Sequence, residues 1–253
     1  MRRVQALFTI VLLLVFSAGA AADDLAVKRY MKKGDMQFQL REDPAAVESA
    51  RGYYEKVLAV DGENVIARWK LSMLFYWQGS HTEGTKARLA IFEKGIRYAQ
   101  EGVERAEDCV PCHFWLGVSY AKYGESKGIL HSLDLVPHVR GEMELVRKLD
   151  PTYDYGGADR VLGRLLHKLP AMNGGDNKKA IEHLRKAIEI GPGLLMNQRF
   201  LAEVLISEGR KDEARALLEH VVAVPEAEML KSKIPDLKEE QGFARKLLEE
   251  HFK

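Results

Sequence analysis

The chain has 253 residues, 46% of them hydrophobic, and its 38 Lys and Arg nearly balance 37 Asp and Glu, for a formal net charge of +1. That length admits one large domain or two small ones. The charge balance leaves no electrostatic footprint for nucleic acid, and no single-sign patch is evident along the chain.

Residues 1–22 read as a cleavable export signal. Arg2 and Arg3 supply the charge, Leu7 to Phe16 the apolar run, and Ala18-Gly19-Ala20 or Ala20-Ala21-Ala22 the small-residue cleavage site. The apolar run is shorter than the roughly 18 residues a membrane span needs, and no later stretch is apolar enough. A lipid anchor would need a cysteine at the cleavage site, and both cysteines lie far downstream. The mature chain, residues 23–253, is therefore expected to be a single exported domain of the periplasm, with no membrane span.

From there the chain reads as successive helical pairs. Asp24 to Leu40 predicts a first helix, with Leu25, Val27, Tyr30 and Met31 on its apolar side. A second starts at Pro44, whose missing N–H suits a first turn, and carries Ala50, Tyr54 and Val57 before the turn residues Asp61 to Asn64. Leu71-Ser72, Phe75 and Gly79 mark the next helix, and a long partner through Ala106 places Gly95, Ala99 and Gly102 on its small-residue side. The third pair opens at Cys109 and continues with Leu116-Gly117, Tyr120 and Gly124. Its second helix supplies Val139, Met143 and Val146, after an insertion from Glu125 to His138 that could form a lid, a kink or an extra turn. Asp150-Pro151 predicts the start of the fourth pair, with Asp150 as its cap.

The fourth and fifth pairs state the rule most clearly. Leu162-Gly163 and Leu166 are followed by Ala180, Leu184 and Ala187; Leu201-Ala202 and Leu205 are followed by Ala214, Leu218 and Val221. Residues at i, i+4 and i+7 share one helical face. Small residues there let paired helices approach while large ones fill the gaps. This is the tetratricopeptide (TPR) pattern. The predicted fold is all-α: about five TPR-like hairpins in an α-solenoid. A C-terminal helix introduced by Pro235 and Asp236, carrying Phe243, Leu247 and Leu248, serves as the capping helix.

Two stretches go beyond a generic repeat. Trp115 to Gly128 and Gly157 to Pro170, the latter followed by Gly175 to Glu182, resemble the T-component family of tripartite ATP-independent periplasmic (TRAP) transporters. The resemblance runs from about Asn64 to the C-terminus. It implies an all-helical periplasmic protein working beside a solute-binding protein, with a hydrophobic ligand path through its helices. Members of that family can be lipid-anchored; this chain departs in having no cysteine at the cleavage site.

The candidate site residues are few. Trp69, Trp77, Phe114 and Tyr123 offer stiff apolar surface for a ligand groove, whereas Trp115 and Tyr120 read as repeat core. Arg160 and Arg164, one turn apart, could bind a carboxylate together or be tied up with glutamates on the next helix. Cys109-Val-Pro-Cys112-His113 matches the attachment motif of c-type haem, with His113 as iron ligand, but its place at the packed start of a repeat helix favours a local disulfide or redox pair, or free thiols. A zinc site from these cysteines with His131 and His138 is disfavoured, because six residues separate the histidines where roughly three to five are usual. Enzyme signatures such as G-x-S-x-G, H-E-x-x-H and a phosphate-binding loop are missing. The expectation is a non-catalytic binding or scaffold protein without a resident cofactor. It would hold a protein partner, or a small apolar or carboxylated ligand. A periplasmic haem redox protein is the alternative.

Overall fold

A computed structural model describes residues 23–228 and 237–252, and among them there is no β-strand. The export-signal residues and Pro235-Asp236 lie outside the described residues. α1 spans 23–39. It is followed by α2 (Pro44–Val60), α3 (Val65–Ser80), α4 (Thr85–Arg105) and α5 (Val110–Lys127). Then come α6 (Val136–Leu149), α7 (Tyr153–Lys168), α8 (Asn177–Ile190), α9 (Leu195–Ser207), α10 (Lys211–Ala223) and α11 (Leu237–His251).

Local chemistry fixes several starts. Asp43, Asn64 and Asp176 each accept a backbone N–H of the first turn beyond them, and Pro44 begins α2. The hairpins then pack by a recurring contact in which a small residue of one helix meets a large side chain of its partner. A Cβ added at Gly34 would lie 2.5 Å from the Tyr54 ring, at Gly79 2.5 Å from Phe92, and at Gly163 2.7 Å from Leu184 Cγ. Ala180 and Ala187 are fully buried on the facing side of α8. The core accordingly falls into three neighbouring clusters. These centre on Tyr54 and Leu71, on Phe114 and Met143, and on Leu184 and Leu205. Such serial packing is what a solenoid requires.

Two expectations change and one left open is decided. Leu25 is not on the packed side of α1 but 69% exposed, and the helix instead buries Gly34 and Phe38. The insertion after α5 forms two 3-10 turns, Ile129–His131 and Leu133–Leu135, pinned where the buried Ser132 hydroxyl donates to the carbonyl of Gly128 at 3.0 Å. Asp150 and Pro151 do not start α7. Asp154, Tyr155 and Gly156 all have positive φ (50°, 58° and 77°), so regular helix begins only after them. A left-handed residue other than glycine costs about 1–2 kcal/mol, and several contacts hold this turn in place. Arg160 donates to the Asp154 carbonyl at 2.9 Å and pairs with its carboxylate, and Asn197, fully buried, donates to the Tyr155 carbonyl at 3.1 Å. Gly156 is required there, because a Cβ would sit 2.9 Å from Ala187 Cα.

The packing account makes a paired prediction. Gly163→Ala should lower stability by about 1–3 kcal/mol through overpacking. Gly141→Ala, with nothing within 4 Å of the added methyl, should raise it by about 0.5–1 kcal/mol. Urea unfolding of both variants tests this; shifts of the same sign would contradict it.

Candidate ligand-binding groove

The first helices of successive hairpins face inward and together enclose a cavity of about 610 Å³. Each contributes residues at helical spacing: Met73, Tyr76 and Trp77 from α3; Phe114, Trp115 and Val118 from α5; Val161, Arg164 and Leu165 from α7; Met196 and Phe200 from α9. The 3-10 insertion adds Ile129, Ser132 and Leu135, so its role is to wall the groove. The last helix closes the far side with Leu237 and Glu240. There His81 Nε2 at the end of α3 comes within 3.5 Å of Glu239, bringing the early and final helices together.

One flank of this apolar space is charged. Lys122 pairs with Glu125 at 2.9 Å, and Arg164 with Glu203 at 2.6 Å and with Glu125 at 3.6 Å. Arg199 bonds Glu240 at 2.5 Å and also pairs with Glu203. Lys168 reaches Glu203 only at 3.8 Å. Burial alone would raise the Glu125 and Glu203 carboxyls. The surrounding cations outweigh it and hold both below the ordinary glutamate range. Burial, reinforced by Arg164, pulls Lys168 below the ordinary lysine value. Four cations thus share three carboxylates, and Lys168 is the least compensated.

The sequence candidates divide around this geometry. Trp77 lines the groove, with Arg41 stacked 4.8 Å from its ring centroid and its own Nε1 donating to the Arg41 carbonyl at 3.3 Å. Phe114 forms buried floor, in edge contact with Trp115 and Tyr153. Trp69 and Tyr123 are not part of the lining: Lys70 covers the Trp69 ring, and the Tyr123 hydroxyl donates to Glu93 at 3.2 Å. Arg160 and Arg164 both reach the wall, but Arg160 is committed to the left-handed turn. Arg164 bridges to glutamates and lies 4.2 Å over Phe200. Trp115 and Tyr120, read as core, line the groove as well. Tyr76, Lys122, Lys168 and Phe200 were not among the sequence candidates. Their i, i+4 recurrence on the inward side of α3, α5, α7 and α9 is the signal that could have found them.

Cys109 and Cys112 form a disulfide at the start of α5. Cys109 is the N-cap, its Sγ accepting the Cys112 N–H at 3.2 Å. A Cβ at Gly102 would lie 2.9 Å from Cys112 Sγ, so the bridge packs directly on α4. His113 is buried, with Nε2 donating to the Glu107 carbonyl at 2.9 Å and Nδ1 2.6 Å from Glu142. Haem attachment would need both sulfurs and a ring nitrogen of His113, all three of which are engaged. His138 of the disfavoured zinc set lies against Tyr120. Among the described residues no group of three or more His, Cys, Asp or Glu is placed to hold a metal. No helix of the described residues is long and apolar enough to cross a membrane.

The hydrogen bond to Glu142 raises the His113 pKa above 6.5 against the opposing effect of burial. The stability of this pair is therefore complete below pH 6.5 and lost as pH rises through the higher folded value. Melting temperature should fall across that interval in the wild type and stay flatter in Glu142→Gln; identical profiles would show that the imidazolium contributes nothing.

Residues 83–249 match the sequence profile of the TRAP transporter T-component. None of the curated proteins compared with the chain matches it. Among solved structures, a thermophilic TPR protein of Thermus thermophilus aligns with a TM-score of 0.61 at 17% identity, covering 86% of this chain and 98% of that one. PilF of Pseudomonas aeruginosa aligns with a TM-score of 0.55 at 13% identity, covering 91% and 94%. At these identities the likeness is one of fold.

Proposed function

The chain belongs to the TRAP transporter T-component family, and we propose that it serves such a transporter in the periplasm by holding a small amphiphilic carboxylate in its groove and meeting a solute-binding protein. The T-component family and the TPR-like fold make it a TPR-like accessory protein, and such scaffolds present surfaces for partners. The periplasmic location rests on the export-signal reading of residues 1–22.

One observation carries the ligand reading: an apolar, aromatic cavity of about 610 Å³ is lined on one flank by Lys122, Glu125, Arg164, Lys168 and Glu240, which pair further with Arg199 and Glu203 outside the lining, so that four cations share three carboxylates. The volume suits a small organic molecule. The aromatic wall takes the apolar body, and Lys168 with Arg164 completes its ion pairing on an incoming carboxylate. The family and the TPR-like fold are non-catalytic in general, which supports reading the groove as a binding site.

Tryptophan fluorescence tests this, since Trp77 and Trp115 line the groove. Titration with a fatty acid should give tighter binding than the alcohol of equal chain length. Lys168→Met should remove about tenfold of that preference, the loss of one charge-assisted hydrogen bond. Equal affinity for acid and alcohol in the wild type would sink the carboxylate reading. Failure of the co-expressed solute-binding protein to co-purify would remove the partner.

A further inference from the structure

The outward side of α1 is not explained by the groove or by the hairpin packing. Leu25, Arg29, Lys32 and Met36 follow one another at i, i+4, i+7 and i+11 and so share a single helical face. Leu25 and Met36 are 69% and 55% exposed, and Leu40, just past the helix end, is 61% exposed. Arg29, Lys32 and Lys33 are also exposed. Between Leu25 and Leu40 the only acid is Asp35. It turns inward, bonding Lys70 at 2.6 Å and accepting from the Tyr54 hydroxyl at 2.8 Å. It therefore leaves the outer cations uncompensated. Asp24 is occupied with Lys28 at 2.7 Å, and Glu48 and Glu55 of α2 lie within ion-pair distance of Arg51.

Along one edge of this face Tyr30 and Tyr53 stack at 6.4 Å, with Arg29 over the first ring, Lys33 over the second and Lys56 over both. The rings keep the cations at the level of the exposed side chains. Charge balance over the whole chain hides this stripe, and it corrects the expectation that no single-sign patch exists.

We propose that this face of α1 docks on the surface of a bilayer containing anionic phospholipid. The composition points to lipid rather than to an acidic protein. Isolated large apolar residues set between lysines and arginines, with tyrosines at the margin, match the layered boundary of headgroups and acyl chains. The cations meet the phosphates while Leu25, Met36 and Leu40 enter the acyl boundary. This contact goes beyond the groove's ligand and depends on none of its residues.

Flotation of the full chain with phosphatidylcholine vesicles, with and without phosphatidylglycerol, tests the proposal. The wild type should float with the anionic vesicles and dissociate as salt rises. Each Lys or Arg near an anionic surface raises partitioning about fivefold, so Arg29→Gln/Lys32→Gln/Lys33→Gln should weaken binding about a hundredfold. Leu25→Ser/Met36→Ser should weaken it independently of charge. Leu25 and Met36 are exposed, so that variant should melt like the wild type, and the cation variant, which gives up only the exposed contacts of Arg29 and Lys33 with Tyr30 and Tyr53, should stay folded with a slightly lower melting temperature. Any membrane affinity of the apolar run at residues 7–16 is common to the three proteins and cancels. Equal flotation of the wild type and the cation variant would overturn the proposal. So would equal wild-type binding to neutral and anionic vesicles, or loss of self-association or of an acidic protein partner with vesicle binding intact.

Discussion

The contact on which the structure depends is a missing side chain facing a large one. Where Gly34 meets Tyr54, Gly79 meets Phe92 and Gly163 meets Leu184, the backbone of one helix is the surface on which its partner's side chain rests. Each contact sets a short interaxial distance, and the short distance keeps the hairpins in register as they stack. A methyl group at these points has no room, because the packed interior cannot relax around it. The disulfide obeys the same rule, with Cys112 lying on Gly102.

The groove follows from that regularity. When hairpins stack with their first helices inward, residues recurring every three or four positions on those helices line one continuous wall. Two departures from the repeat shape it further. The insertion after α5 supplies a 3-10 wall held by Ser132. The left-handed turn near the start of α7, held by Arg160 and Asn197, brings Asp154 and Tyr155 to the lining. Strain of this kind persists only where neighbours over-determine it, and here those neighbours, Arg160 and Asn197, come from α7 and α9. Arg160 is thus committed to the turn that shapes this wall.

Much of the architecture was legible because its causes are local. Pro44 starts α2 as its missing N–H predicts, and the alternation of Leu162-Gly163 with Ala180, Leu184 and Ala187 spans only adjacent helices. The site was less legible. Trp69 and Tyr123 have the chemistry of groove residues yet face elsewhere, while Trp115 does both jobs, packing on Phe114 and lining the cavity. Residue type reports what a side chain can do, and a rotation of one position about the helix axis decides where it does it.

The amino-acid sequence alone determined the helices, their pairing and the small-to-large rule, because helical period and nearest-neighbour packing are written within a few dozen residues. Only the tertiary structure decided which charges are free. Arg164 and Arg199 find Glu203 and Glu240 from 39 and 41 positions away, and Asp35 leaves the cations of α1 for Lys70, 35 positions on. Ion pairing depends on distance in space, and the curvature that sets those distances is the summed result of every hairpin contact along the chain.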